Sequence, residues 1–160
     1  MTGVKYLYIE TSRFGSIEVT EKELIEFPRG LLGFESQKQY ALLPLPQTPY
    51  FYWLQSTTDK DLAFLVVDPF VFFPNYEFNL ADDLLERIKV TSPNQVAILT
   101  IVTVPQTGVT EATTNLVGPL VINLHDRLGV QVVLEGTKYR TKHLLFQKQS
   151  NEQKALHESR

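Results

Sequence analysis

The sequence predicts an all-β fold, mainly antiparallel: a small barrel or sandwich of nine or ten short strands with one short helix. Three observations support this prediction. Short apolar runs follow one another between proline, glycine and polar turn signals. Only one stretch repeats its apolar residues at helical spacing, and one strand-like run is apolar on both faces. Closing such a sheet removes its exposed strand edges, which favours a barrel-like arrangement.

The first half of the chain contains the early predicted strands. Phe14-Gly15 and Pro28-Arg29-Gly30 are turn signals that end the first short runs. Three prolines between residues 44 and 49, and the polar stretch 56–61, separate the later ones. Strands are therefore expected at residues 4–11, 16–20, 24–27, 40–45, 51–55 and 62–68.

The single helix is predicted over residues 80–89. Asn79 is placed to cap it, and Asp82 and Asp83 stand in the first turn, where carboxylates interact favourably with the helix dipole. Ser92-Pro93-Asn94 ends the helical pattern. The apolar stripe consists of Leu80, Leu84, Leu85 and Ile88.

The longest apolar strand follows this helix. Residues 95–104 are apolar on both faces, which predicts a central strand covered on both sides. Further strands are expected at residues 120–124, 129–135 and 142–146, with a turn at Asp126-Arg127. The length of the chain suits one domain, predicted over residues 1–146. The polar tail 147–160 lacks an apolar stripe and is expected to be mobile or weakly helical.

Residues 64–78 are rich in aromatic side chains and contain Pro69 and Pro74, so they cannot form a helix. We expect a strand that ends at Asp68, followed by an irregular stretch, residues 70–78, which we call the aromatic segment. Such a segment is either a lid over the core or a docking surface for a partner. Its candidate contact residues are Phe70, Phe72, Phe73 and Tyr76. Phe72 and Phe73 are expected to point to opposite sides, as neighbours on an extended chain do.

Composition and charge exclude several classes of function. The chain has a net charge of −3, and residues 1–146 hold 12 basic against 16 acidic side chains. A negative body repels phosphates, so direct RNA or DNA binding is not expected, whereas a basic protein would be attracted. The absence of cysteine excludes disulfides and thiolate chemistry. Without a membrane-spanning run or a signal peptide, we expect a cytoplasmic protein.

The sequence contains no convincing pattern of catalytic or metal-binding residues, so no catalytic residue, metal ligand or cofactor is predicted. The histidines His125, His143 and His157 are widely separated in sequence and lack metal-site spacing. Gly30 and Gly33 lack a nucleotide-binding fingerprint and are interpreted as turn residues. Two alternatives stay open.

An enzyme would require His125, His143, Asp68 and Glu35 to converge within about 6 Å. A small-molecule-binding barrel would require an internal cavity of at least about 300 Å³, whereas small barrels are normally filled by their own side chains.

Several motifs occur in a characteristic order between residues 14 and 146. They are Phe27-Pro28-x-Gly30-Leu31-x-Gly33-Phe34-Glu35, Leu54-Gln55-Ser56, Ala63-Phe64, Asp68-Pro69-Phe70, Thr114-Asn115-Leu116 followed by Pro119, Val121-Ile122-Asn123, and Gln131-Val132 leading to Tyr139 and His143. In this order they resemble the family of the flagellar assembly factor FliW.

The resemblance implies a small cytoplasmic β-barrel-like protein that is not an enzyme. It also implies a partner switch, in which the protein binds the translational repressor CsrA and so releases flagellin messenger RNA. Flagellin is the second implied partner, and its binding titrates the protein away from the repressor. Because CsrA-type repressors are basic, Asp82, Asp83 and Glu86 join the aromatic residues as candidate partner contacts.

Overall fold

The structure is a computed structural model that describes residues 5–146. The one α-helix of this range, α1, spans Asp82–Arg87. Within these residues no helix is both long enough and apolar enough to cross a bilayer. The strands are β1 Tyr6–Thr11, β2 Gly15–Thr20, β3 Leu24–Glu26, β4 Gln39–Pro44, β5 Phe51–Ser56, β6 Ala63–Val67, β7 Val96–Thr103, β8 Thr113–Thr114, β9 Leu120–Asn123, β10 Leu128–Gln131 and β11 His143–Leu144.

Seven of the strands close into a barrel. Their order is β7-β6-β5-β4-β3-β10-β9, and β9 pairs back onto β7. Every pairing in the barrel is antiparallel except the short contact between β10 and β3. β8 and β11 extend the sheet from β7, while β1 and β2 form a separate hairpin. The predicted fold, all-β and mainly antiparallel with one short helix, is confirmed.

Apolar side chains fill the interior of the barrel. Each fully buried side chain of this kind contributes about 1.5–3 kcal/mol, so this cluster is a main source of stability. The hydroxyl of Tyr40 has no partner among the described residues. Burial, and secondly the charge of Asp59, raise the pKa of Tyr40 to about 12. The buried cluster consists of Ile25, Phe27, Leu31, Tyr40, Leu54, Val66, Leu99, Leu120 and Ile122.

Strand β7 occupies the central place that its two apolar faces predicted. It pairs with β6, β8 and β9. Leu99 and Ile101 pack in the interior cluster, whereas Ile98 and Val102 belong to clusters outside the barrel. Because the outer face is also apolar, it needs a cover, and the aromatic segment supplies part of it.

Helix α1 is shorter than predicted, and the expectation that Asn79 caps it is wrong. Ala81 occupies the N-cap position in an extended conformation, and no side chain caps the helix. The backbone N–H of Leu84 bonds to the carbonyl of Ala81. Leu80 precedes the helix and lines a groove together with Phe70, so it is not part of a helical face.

The strand predicted at residues 129–135 ends at Gln131 as a regular element. The chain continues beside residues 117–119, with hydrogen bonds from Val132 N–H to the Pro119 carbonyl and from Leu134 N–H to the Val117 carbonyl. Pro119 has no N–H to return, which interrupts the ladder. The pairing of β8 with β11 was not predicted, because two threonines form no apolar run. The predicted tail 147–160 lies outside the described residues.

Candidate partner-binding surface

The aromatic segment begins at a side-chain cap. The backbone N–H of Phe70 donates to the Asp68 carboxylate at 3.0 Å, and Pro69–Val71 forms one turn of 3-10 helix. The N–H of Phe73 then bonds back to the carbonyl of Pro69 at 2.8 Å. The predicted break after Asp68 is therefore present, but the residues that follow are coiled and not extended.

Tyr76 lies at the centre of the segment and is buried, with 4% of its surface exposed. Its hydroxyl donates to the carbonyl of Leu116 at 2.7 Å, and its ring centroid lies 4.8 Å from that of Tyr139. Burial, and secondly Tyr139, raise the pKa of Tyr76. The hydroxyl of Tyr139 accepts from the N–H of Glu77 at 3.0 Å. These contacts fasten the segment to the residues around Leu116 and Tyr139.

Phe72 and Phe73 are both half-buried. Phe72 packs edge-on against Phe51 and Phe146, at centroid distances of 5.7 and 5.8 Å. Phe73 points toward His143, 5.9 Å away. The expectation that these neighbours face opposite sides rested on an extended chain, and the 3-10 turn removes that basis. Both rings act as a lid over the outer face of β7.

Phe70 is the exposed member of the four aromatic candidates, with 41% of its surface accessible. It lines a groove of about 570 Å³, which we call the apolar groove. The outer face of β7 contributes to the lining through Val96 and Ile98. Further apolar lining residues are Tyr76, Phe78, Leu80, Leu85 and Val90.

The acidic candidates Asp82, Asp83 and Glu86 are all exposed on α1. Asp83 lies 3.7 Å from Arg87, one helical turn away. Arg29 lines a shallow cleft together with Asp83 and Glu86. The helix is held to the body by the buried Leu84 and Ile88, so its carboxylates remain in solvent. Leu85 of the same helix lines the apolar groove.

The convergence required by the enzyme alternative is not seen in residues 5–146. His143 accepts from the N–H of Arg140, His125 lies beside Asp126, Asp68 caps Phe70, and Glu35 accepts from the N–H of Gly33. These are four separate local networks. No group of three or more His, Asp or Glu side chains suited to a metal ion occurs in this part of the chain.

Several residues that shape the surface were not singled out from the sequence as contacts. Leu80 and Leu85 were predicted as one helical stripe, and Val96 and Ile98 as one face of a strand. The second apolar face of β7 indicated that other residues must cover it, but it did not indicate which residues these are. Tyr139 gave no such signal, because its role depends on a contact with a residue 62 positions away.

Comparisons with known proteins match this architecture along nearly its whole length. A family model described as FliW protein matches residues 8–145. The flagellar assembly factor FliW of Moorella thermoacetica is 41% identical over 150 residues, which are 94% of this chain and 95% of that protein. The protein of the same name from Anoxybacillus flavithermus is 46% identical over 138 residues, 86% of this chain and 94% of that one.

The likeness extends to three dimensions. A crystal structure of the flagellar assembly factor FliW superimposes with a TM-score of 0.81 and 42% sequence identity, covering 88% of this chain and 98% of that one. The motif order, the closed barrel and these matches agree, and the chain belongs to the FliW family of flagellar assembly factors.

Proposed function

We propose that this protein assists flagellar assembly by binding two protein partners in alternation. It binds the translational repressor CsrA and so permits translation of flagellin messenger RNA. It also binds flagellin, which draws it away from the repressor. In this role it acts in the cytoplasm as a binding protein, with no catalytic step.

The observation that carries the proposal is the juxtaposition of an exposed aromatic side chain with an acidic helix. Phe70 is exposed and lines the apolar groove, and Leu85 of α1 lines the same groove. The helix also carries the exposed carboxylates of Asp82, Asp83 and Glu86. Buried aromatic anchors dominate binding energy at protein interfaces, while surrounding charges steer the encounter. Such a surface suits a basic protein.

The charge balance supports an indirect effect on RNA. Residues 1–146 hold four more acidic than basic side chains, so the protein repels the phosphate backbone that a basic repressor attracts. The protein therefore acts on the messenger through the repressor. Phe72, Phe73 and Tyr76 contribute mainly by holding Phe70 and its neighbours in place, since they are half-buried or buried.

A reconstituted assay tests the proposal. The purified protein is added to a preformed complex of CsrA with a labelled flagellin leader RNA, and RNA occupancy is measured. We expect occupancy to fall as the protein is added, and to recover when flagellin is added in excess. The protein alone should not shift the RNA at physiological salt. Unchanged occupancy at saturating protein would count against the proposal.

A further inference from the structure

We infer that the apolar groove is a docking site for a short apolar segment of a protein partner that is flanked by lysine or arginine. This inference rests on the proposed function, since it assigns a place and a chemistry to partner binding.

The shape of the groove suits a short peptide. Its volume of about 570 Å³ lies within the range of about 300–1,000 Å³ that is typical of ligand pockets. The walls come from the irregular stretch after Tyr76, from Leu85 of α1, and from Val96 and Ile98 of β7. These three walls are fixed to the barrel independently: Tyr76 by its bond to Leu116, α1 by its buried leucine, and β7 by its strand partners. The groove is therefore largely pre-formed.

The stretch that contributes Phe78 and Leu80 to the groove has backbone groups that are unpaired within residues 5–146. The N–H groups of Tyr76 and Glu77 are satisfied by Phe73 and by Tyr139. Residues 78–80, which follow, make no backbone hydrogen bond to another described residue. An arriving polypeptide can pair with such groups through its own backbone, which a purely apolar small molecule cannot do. This favours a peptide as the occupant.

The charges at the rim of the groove indicate which residues should flank the apolar core of that peptide. Glu77 lines the groove, and Asp82 lies two residues beyond Leu80, another lining residue. Neither carboxylate has an ion-pair partner among the described residues, whereas Asp83 is engaged by Arg87. Arg29, Arg87 and Lys89 are the basic groups near α1, and the two arginines lie with Asp83 and Glu86 in a separate cleft. The groove therefore carries the negative charge of Glu77, with that of Asp82 close by in the chain, and this charge is complementary to basic flanks.

Two synthetic peptides test the inference directly. They share the apolar core Leu-Val-Phe-Leu and differ in carrying either two lysines or two glutamates on each side. Fluorescence anisotropy against the full chain should show binding of the lysine-flanked peptide, weakened by added salt, and at least about tenfold weaker binding of the glutamate-flanked one. Equal affinity for both peptides, or binding of neither, would overturn the assignment.

Matched variants locate the binding. Leu80→Glu places a charge in the groove, and Leu32→Glu places the same charge on an exposed leucine of a different loop. Only Leu80→Glu should abolish binding of the lysine-flanked peptide. Glu77→Gln should weaken the lysine-flanked peptide several-fold without altering the thermal unfolding midpoint, because its side chain is exposed. Equal effects of Leu80→Glu and Leu32→Glu would contradict the groove as the site.

Two further measurements distinguish misfolding of a variant from loss of binding, and failure of the groove assignment from failure of the proposed function. If Leu80→Glu does not fold, amide NMR shifts of residues 78–80 in the unaltered chain report the same contact, and their failure to move on peptide addition refutes it. Binding of intact CsrA and flagellin is measured in parallel. If a folded Leu80→Glu variant still binds both partners, the groove is not the docking site, and the proposed function is unaffected. If the unaltered chain binds neither partner, the proposed function is wrong.

Discussion

The backbone N–H of Arg140 donates a hydrogen bond of 2.9 Å to Nε2 of His143. Only an unprotonated ring nitrogen can accept such a bond. Burial, and secondly the charge of Arg140, lower the pKa of His143 below its usual value of 6.5. The carbonyl of Arg140 accepts from the N–H groups of Leu116 and Val117, so the bond helps to hold the stretch that anchors Tyr76.

This arrangement predicts a pH-dependent contribution to stability. Because the folded pKa lies below the unfolded one, the unfolded chain binds the proton more readily. The contribution is therefore complete above about pH 6.5 and is lost as the pH falls through the lower folded pKa. His143→Leu should lower the unfolding midpoint clearly at neutral pH and much less under acid conditions. His125→Leu is the control, since the His125 side chain is 75% exposed. An equal difference at both pH values would contradict this account.

The difference in exposure between Phe70 and Phe72 predicts that their substitution by alanine has different effects. Phe72→Ala should cost about 2 kcal/mol or more of folding stability, because a half-buried ring packed on Phe51 and Phe146 is removed. Phe70→Ala should cost about 1 kcal/mol or less in stability but weaken CsrA or flagellin binding at least about tenfold. Urea unfolding and calorimetric titration measure the two quantities. If Phe70→Ala leaves both partners bound at full affinity, Phe70 is not a contact.

The carboxylates of α1 predict an effect on association rate. Neutralising Asp82 and Asp83 to asparagine should slow association with a basic repressor and flatten its salt dependence, with dissociation largely unchanged. The stability cost should be about 0.3–1 kcal/mol for each lost dipole interaction. Stopped-flow kinetics at two salt concentrations measure the effect. Neutralising the exposed Glu10 and Glu18 of the hairpin is the control, and an equal slowing there would show that only net charge matters.

The two glycines of the loop after β3 predict unequal costs of adding a methyl group. Both adopt positive φ, 67° at Gly30 and 85° at Gly33, as their interpretation as turn residues requires. A Cβ at Gly30 would lie 2.6 Å from the Cα of Glu35, whereas at Gly33 it would meet nothing within 4 Å. Gly33→Ala should therefore cost about 1–2 kcal/mol from backbone strain alone. Gly30→Ala should cost distinctly more, and equal unfolding midpoints for the two variants would refute this.

The features that the sequence determined by itself are those with a local physical cause. A positive φ can be inferred at Gly30 and Gly33, because the sequence around them lacks a nucleotide-binding fingerprint and a turn is the remaining reason for glycine. The strand before Asp68 had to end, since Pro69 cannot continue a ladder. The two apolar faces of residues 95–104 required cover on both sides, and β7 has it. Periodicity and proline act within a few residues, so no knowledge of the fold is needed to interpret them.

Tertiary structure alone decided where the helix begins, which aromatic rings are buried and which is exposed, and which residues form the apolar groove. Asn79 is a good capping residue, yet Leu80 lines the groove outside the helix, and the helix begins only at Asp82. Val96 and Leu80 line one groove only because β9 closes the barrel onto β7 and leaves the outer face of β7 to the aromatic segment. Contacts between segments distant in sequence leave no periodic trace in either segment, because each is compatible with many partners until the barrel closes.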